Sequence, residues 1–132
     1  MRKEGDQLID AARDMLNEPS TDSSASIRRV FRQPQDAGGQ FTSKNVTFQS
    51  TTGGAAGTRF IGEVTNGSAV NYGFAANFTM SVYDSSGALL DSGMFSAFDI
   101  GPGETRSFQN FLLELDDTSA IASYKVHFTG GN

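Results

Sequence analysis

Between Phe74 and Tyr83 the chain alternates with a period of two. Phe74, Ala76, Phe78, Met80 and Val82 share one parity, while Ala75, Asn77, Thr79, Ser81 and Tyr83 occupy the other. Successive side chains of an extended strand point to opposite faces, so this pattern describes a strand with one buried and one largely wet side. A helix would scatter the same residues around its circumference. The segment therefore requires a partner layer of apolar side chains to cover its buried face.

Further segments beyond position 40 supply that layer. Val46 and Phe48 alternate with Asn45, Thr47 and Gln49, and Phe60 and Val64 share a face across Gly62. Leu89 and Leu90 open a return strand that continues through Met94, Phe95 and Phe98. Phe108, Phe111, Leu113 and Leu115 follow, then Ile121, and finally Tyr124, Val126 and Phe128 alternating with Ser123, Lys125 and His127. Turn chemistry separates these runs. Asp84 and Gly87 are placed for a type I turn with a bulge, Gly101-Pro102-Gly103-Glu104 reverses the chain, and Gly53 to Gly57 reads as a hairpin loop. With no helical period after residue 40, parallel crossovers are excluded. The expectation is an all-β, antiparallel immunoglobulin-like β-sandwich of about seven strands over residues 41–132. Eleven Phe with no Trp and no Cys make its core one of phenylalanines and aliphatics without staples.

Residues 1–40 read differently. Leu8, Ile9, Ala11, Ala12, Met15 and Leu16 fall on one side of a helix over 6–17, which Asp6 can cap and Pro19 terminates. Three turns are marginal alone, so the stripe must dock on its own sandwich or on a neighbouring subunit. A Ser-rich linker follows. Ile27, Val30 and Phe31 then have enough apolar character for one short strand or an adhesive arm, before a second breaker from Pro34 to Gln40. Leu8, Ile9, Met15, Leu16, Ile27, Val30 and Phe31 are thus the candidate assembly contacts.

Across Phe60 to Phe108 the residues form a recurring strand-and-turn pattern. Gly62, Val64 and Asn66 end one strand, Met80, Val82, Tyr83 and Asp84 end the next with Gly87 in its turn, and Pro102-Gly103-Glu104 close the segment. In this respect the chain resembles the FxLYD family of microbial sandwich domains, related to immunoglobulin and desiccation-related folds. Met80 stands where the family has its name-giving Phe, and Val82 stands for its Leu; both remain apolar. The resemblance covers about half the chain. It implies extracytoplasmic binding or structural modules of prokaryotes, with no shared catalytic residue.

Several chemistries find little support. A formal charge of −5 argues against nucleic acid, which needs a basic footprint. Arg28, Arg29 and Arg32 form the one basic cluster, and the plainer reading is a solvated segment. Without cysteine there is neither a disulfide framework nor a thiolate metal site. His127 is the single histidine, and its parity sets it opposite Tyr124, Val126 and Phe128, on the surface. Asp84, Asp91, Asp99, Glu104, Asp116 and Asp117 lie near strand ends, but no calcium-loop motif orders them. Asn45, Asn66 and Asn77 begin glycosylation sequons. No apolar run is long enough to span a membrane, and the N-terminus lacks the apolar stretch of a signal peptide.

The expected function is a non-catalytic interaction or spacer module, without cofactor, that binds a protein or surface partner; the residues leave its compartment open, and the family resemblance favours an extracellular or virion-associated place. The second expectation is a structural subunit of a virion, tail fibre or surface filament, self-associating as its N-terminal arm contacts a neighbour.

Overall fold

Extended segments that each bury one face must stack in layers, and a computed structural model describes this arrangement for Ser20–Thr21 and residues 27–51 and 57–132. The N-terminal helix expected over 6–17, with Leu8, Ile9, Met15 and Leu16, lies outside the described residues, as do 52–56 of the glycine-rich loop. Nine antiparallel strands are described: β1 (Ser20–Thr21), β2 (Ile27–Phe31), β3 (Gln35–Gly38), β4 (Phe41–Ser50), β5 (Thr58–Asn66), β6 (Tyr72–Tyr83), β7 (Leu89–Ile100), β8 (Thr105–Leu112) and β9 (Ser123–Gly131). The larger sheet has the order β1-β2-β4-β5-β8, with β3 also on β4, and the smaller has the order β7-β6-β9. Hairpins join β4 to β5 and β6 to β7 within a sheet, whereas the connections β5–β6, β7–β8 and β8–β9 cross between sheets. The protein is an all-β antiparallel sandwich.

Two sequence expectations change here. The sheet does not begin at position 41: Arg28 to Phe31 pair with Gln49 to Val46, and Gln35 to Gly38 pair with Ser43 to Phe41 on the same edge of β4. Phe31 accordingly packs inward, its ring 5.9 Å from Phe48 and 5.4 Å from Tyr124. It is a core-edge residue of its own chain rather than an arm contact. Second, the apolar residues of β6 to β8 do not all face inward. Phe74, Leu89, Met94, Phe98, Phe111 and Leu113 are exposed, while Phe78, Met80, Val82, Phe95, Phe108, Leu112 and Leu115 are buried.

Phenylalanines form the layer between the sheets. Phe95 of β7 stacks on Phe108 of β8 with centroids 3.8 Å apart, joining the two sheets, and Phe78 stacks on Phe95 at 4.9 Å. Gly62 sits opposite Phe108 in the β5–β8 register. A Cβ added there would lie 2.6 Å from Phe108 Cζ and 2.9 Å from Val46 Cγ2, so the missing side chain is what admits the Phe108 ring.

Candidate interaction surface

The signature residues of the sequence pattern serve the fold. Asn66, fully buried, accepts from the Ser68 amide (2.9 Å) and hydroxyl (2.6 Å) through Oδ1. Its Nδ2 donates to the Val70 carbonyl at 2.8 Å and to the Ile100 carbonyl at 3.4 Å. The Gly103 amide donates to the Asn66 carbonyl (2.6 Å), and the Asn66 amide to the Glu104 carbonyl (2.9 Å). One side chain and its backbone thus tie the end of β5 to the Gly101–Glu104 reversal. This burial also closes the Asn66 sequon to any enzyme acting on the folded chain, whereas Asn45 and Asn77 are exposed. Val64, Met80 and Val82 fill the core. At the opposite end, Asp84 Oδ1 accepts from the Ser86 amide and hydroxyl and the Ala88 amide, with Gly87 at φ +87° completing the turn.

Those bonds hold the Asp84 carboxyl below its ordinary range, the Ser86 hydroxyl contributing most. Glu104 is lowered as well, first by the Gly101 amide on its Oε1 (2.7 Å) and then by the Arg106 charge. A depressed folded-state pKa contributes stability above the unfolded-state value and loses it as pH falls through the folded one. The melting temperature is therefore expected to fall between about pH 5 and about pH 2, and to fall less in an Asp84→Ala, Glu104→Ala double variant. Equal acid slopes in a thermal titration would remove these two groups from the account.

The Asn66 knot anchors a patch that sequence alternation does not reveal. The amides of Phe74 and Ala75 both donate to the single Asn132 carbonyl (3.0 and 3.1 Å), the bonding pattern of a β-bulge. The β6–β7 register shifts between Tyr72 and Ala75, and across from it Asp99 takes a left-handed φ of +53°. The bulge turns Phe74 to solvent, while Phe98 faces out by ordinary alternation with the buried Phe95 and Ala97; the two are 71% and 61% exposed, with their rings in edge contact at 6.4 Å. Val70, 51% exposed, lies at the same end, since Asn66 bridges its carbonyl to that of Ile100. The one available signal was Gly73, because glycine inside a strand often marks a bulge.

A depression of about 430 Å³ lies where β7 meets β8, lined by Met94, Phe111, Leu113, Asp91 and Glu114 among others. Asn110 Nδ2 donates to the Met94 carbonyl and Arg106 to the Asp99 carbonyl, so side chains occupy this edge of β7. Another, of about 410 Å³, lies over Gly62, lined by Asn45, Ile61, Glu63 and Gln109 among others. His127 is exposed, paired with Thr79 in the β6–β9 register. The strand-end carboxylates do not converge: among the described residues no group of three His, Asp or Glu side chains is placed to hold a metal ion. Nor is any described helix long and apolar enough to cross a membrane.

No family model and no curated protein matches the chain. Among solved structures, a DUF1425 family member from Shewanella sp. pv-4 is similar over 88% of this chain and 98% of that one, at 11% identity and a TM-score of 0.36. A likeness that weak transfers nothing from one chain to the other.

Proposed function

We propose that this protein is a non-catalytic β-sandwich module that binds a protein partner through the Val70, Phe74 and Phe98 patch. The observation behind this reading is the exposed Phe74–Phe98 ring pair. Two large aromatic side chains held in solvent mark interaction sites, because a partner that covers them gains apolar burial with little rotamer entropy to lose. The patch sits on a rigid base, with Asn66 on one side and the Asn132 bonds on the other. Its relation to FxLYD-type sandwiches is part of the same proposal, resting on the Asn66, Asp84 and Gly103 grammar.

The test is a Phe74→Ser, Phe98→Ser double variant. Both side chains point to solvent, so unfolding in urea should change by no more than about 1 kcal/mol. Light scattering over a concentration series, with affinity capture from the native source, should show an association or a specific captured protein that the variant loses. Identical behaviour of the two proteins would remove the patch from consideration. In the alternative reading, a structural subunit of a virion, tail fibre or surface filament, the N-terminal arm contacts a neighbouring subunit. Its support is the β1–β2 pairing, Ser20 to Arg28 and Thr21 to Ile27, which sets the arm's exit at a sheet edge.

A further inference from the structure

One dipeptide of the Gly101–Glu104 corner carries a chemistry of its own. Asn66-Gly67 is the single Asn-Gly pair in the chain; every other asparagine before the last residue precedes Glu, Val, Tyr or Phe. The side-chain Cγ of an asparagine is open to attack by the amide nitrogen of the residue that follows. Glycine, with no Cβ to crowd that nitrogen and the widest backbone freedom, is the following residue that allows the attack most readily. A five-membered succinimide forms as ammonia leaves. Water then opens the ring to aspartate or isoaspartate.

The fold demands both residues. Asn66 makes the four side-chain hydrogen bonds of the knot, and a Cβ on Gly67 would lie 2.7 Å from the Gln40 carbonyl oxygen. The same contacts withhold the reaction. The nitrogen that would attack keeps its proton directed at that Gln40 oxygen, 2.9 Å away. The departing Nδ2 faces two carbonyls, neither of which can protonate it, and the side chain is fully buried from the water that would open a ring. The Ser68 amide and hydroxyl do polarise Cγ through Oδ1, which favours attack. Ring closure nevertheless requires rotation about the Asn66 Cα–C bond. Glu104 and Gly103 hold the Asn66 amide and carbonyl on either side of it. Rotation loses.

We propose that Asn66 is a deamidation site that the native corner locks and unfolding releases, and that the modified chain cannot rebuild the corner. Aspartate sets a carboxylate against the Val70 and Ile100 carbonyls. Isoaspartate adds a methylene to the main chain between the groups that bond Glu104 and Gly103, so those two bonds cannot both re-form. Either product turns reversible unfolding into a one-way loss, and the lifetime of the protein becomes tied to how often this corner opens. The inference is independent of the Phe74 and Phe98 patch, because it needs no partner.

The test follows Asn66 by peptide mapping and mass spectrometry in full-length protein held in mildly alkaline buffer, with and without urea above the unfolding midpoint. Conversion of Asn66 should be at least about 100-fold slower in the folded protein than in urea. Equal rates would overturn the lock. After dilution from urea, size-exclusion should separate refolded from unfolded chains, with aspartate and isoaspartate confined to the unfolded fraction. Converted chains that recover the native circular dichroism and melting temperature would overturn the barrier to refolding. Gly67→Ala, compared in urea where its clash with Gln40 plays no part, should convert several-fold more slowly. Conversion as fast as in the wild type would overturn the succinimide route.

Discussion

Replacing Phe78 with Ala is expected to destabilise the protein by about 3–5 kcal/mol, while Phe74→Ala, four residues away, should cost about 1 kcal/mol or less. Phe78 is buried and meets three rings: Phe95 stacked at 4.9 Å, Phe41 edge-on at 5.0 Å and Phe128 tilted at 5.6 Å. Truncation removes both its transfer free energy and those contacts, and rings held from three strands cannot all close on the void. Phe74 meets the Phe98 ring in edge contact and is mostly in water already. Urea unfolding of the two variants measures the difference. Simple period-two alternation would set both residues on one face with similar costs. Comparable losses would thus refute the bulge and restore that simpler strand.

The second large effect belongs to Asn66. Asn66→Asp preserves the shape of the side chain but replaces the Nδ2 donor with an oxygen. The Val70 and Ile100 carbonyls lose their donor, and a buried carboxylate faces both. Leaving buried acceptors unpaired costs about 1–3 kcal/mol for each group, and an uncompensated charge adds to this. A loss on the order of 4 kcal/mol is therefore expected near neutral pH. Burial and the two carbonyls raise the folded-state pKa of the introduced carboxyl above its unfolded value. Its neutral form is then the better tolerated, and the penalty relative to wild type should shrink as pH falls toward the unfolded-state pKa. Denaturant curves at neutral and mildly acidic pH read this directly. A loss below about 1 kcal/mol, or one independent of pH, would show that Asn66 does not brace the β5 end against the Gly101–Glu104 reversal.

These two residues also mark how far the amino-acid order could be read. Phe78, Met80 and Val82 declared their burial through spacing alone, because two-residue periodicity is a property of the backbone itself. Asp84 and Gly87 were legible for a similar reason: an Asx turn and a left-handed glycine are made within five residues. Asn66 stood out only as part of a pattern, and its role depends on Val70, Ile100 and Gly103, which no local spacing relates. The surface patch was misread for the same cause. Phe74 obeys the apolar rhythm of β6, but the bulge bonded to Asn132 breaks it, and Phe98 lies on the outward parity of β7 beside it.

The N-terminal boundary follows this division as well. Arg28 to Phe31 and Gln35 to Gly38 are short, polar and interrupted at Pro34, and alone they could not offset the entropy of ordering. They are strands because β4 offers its edge to both in turn. Alone, then, the order of residues determined that the chain past position 40 forms antiparallel strands, where several of them turn, and that phenylalanine fills the space between layers. Tertiary structure decided which aromatics reach water, where the sheet begins, and that one asparagine braces the β7–β8 corner. Alternation and turns arise between near neighbours, whereas a bulge, an edge or a buried amide takes its meaning from strands far away along the chain.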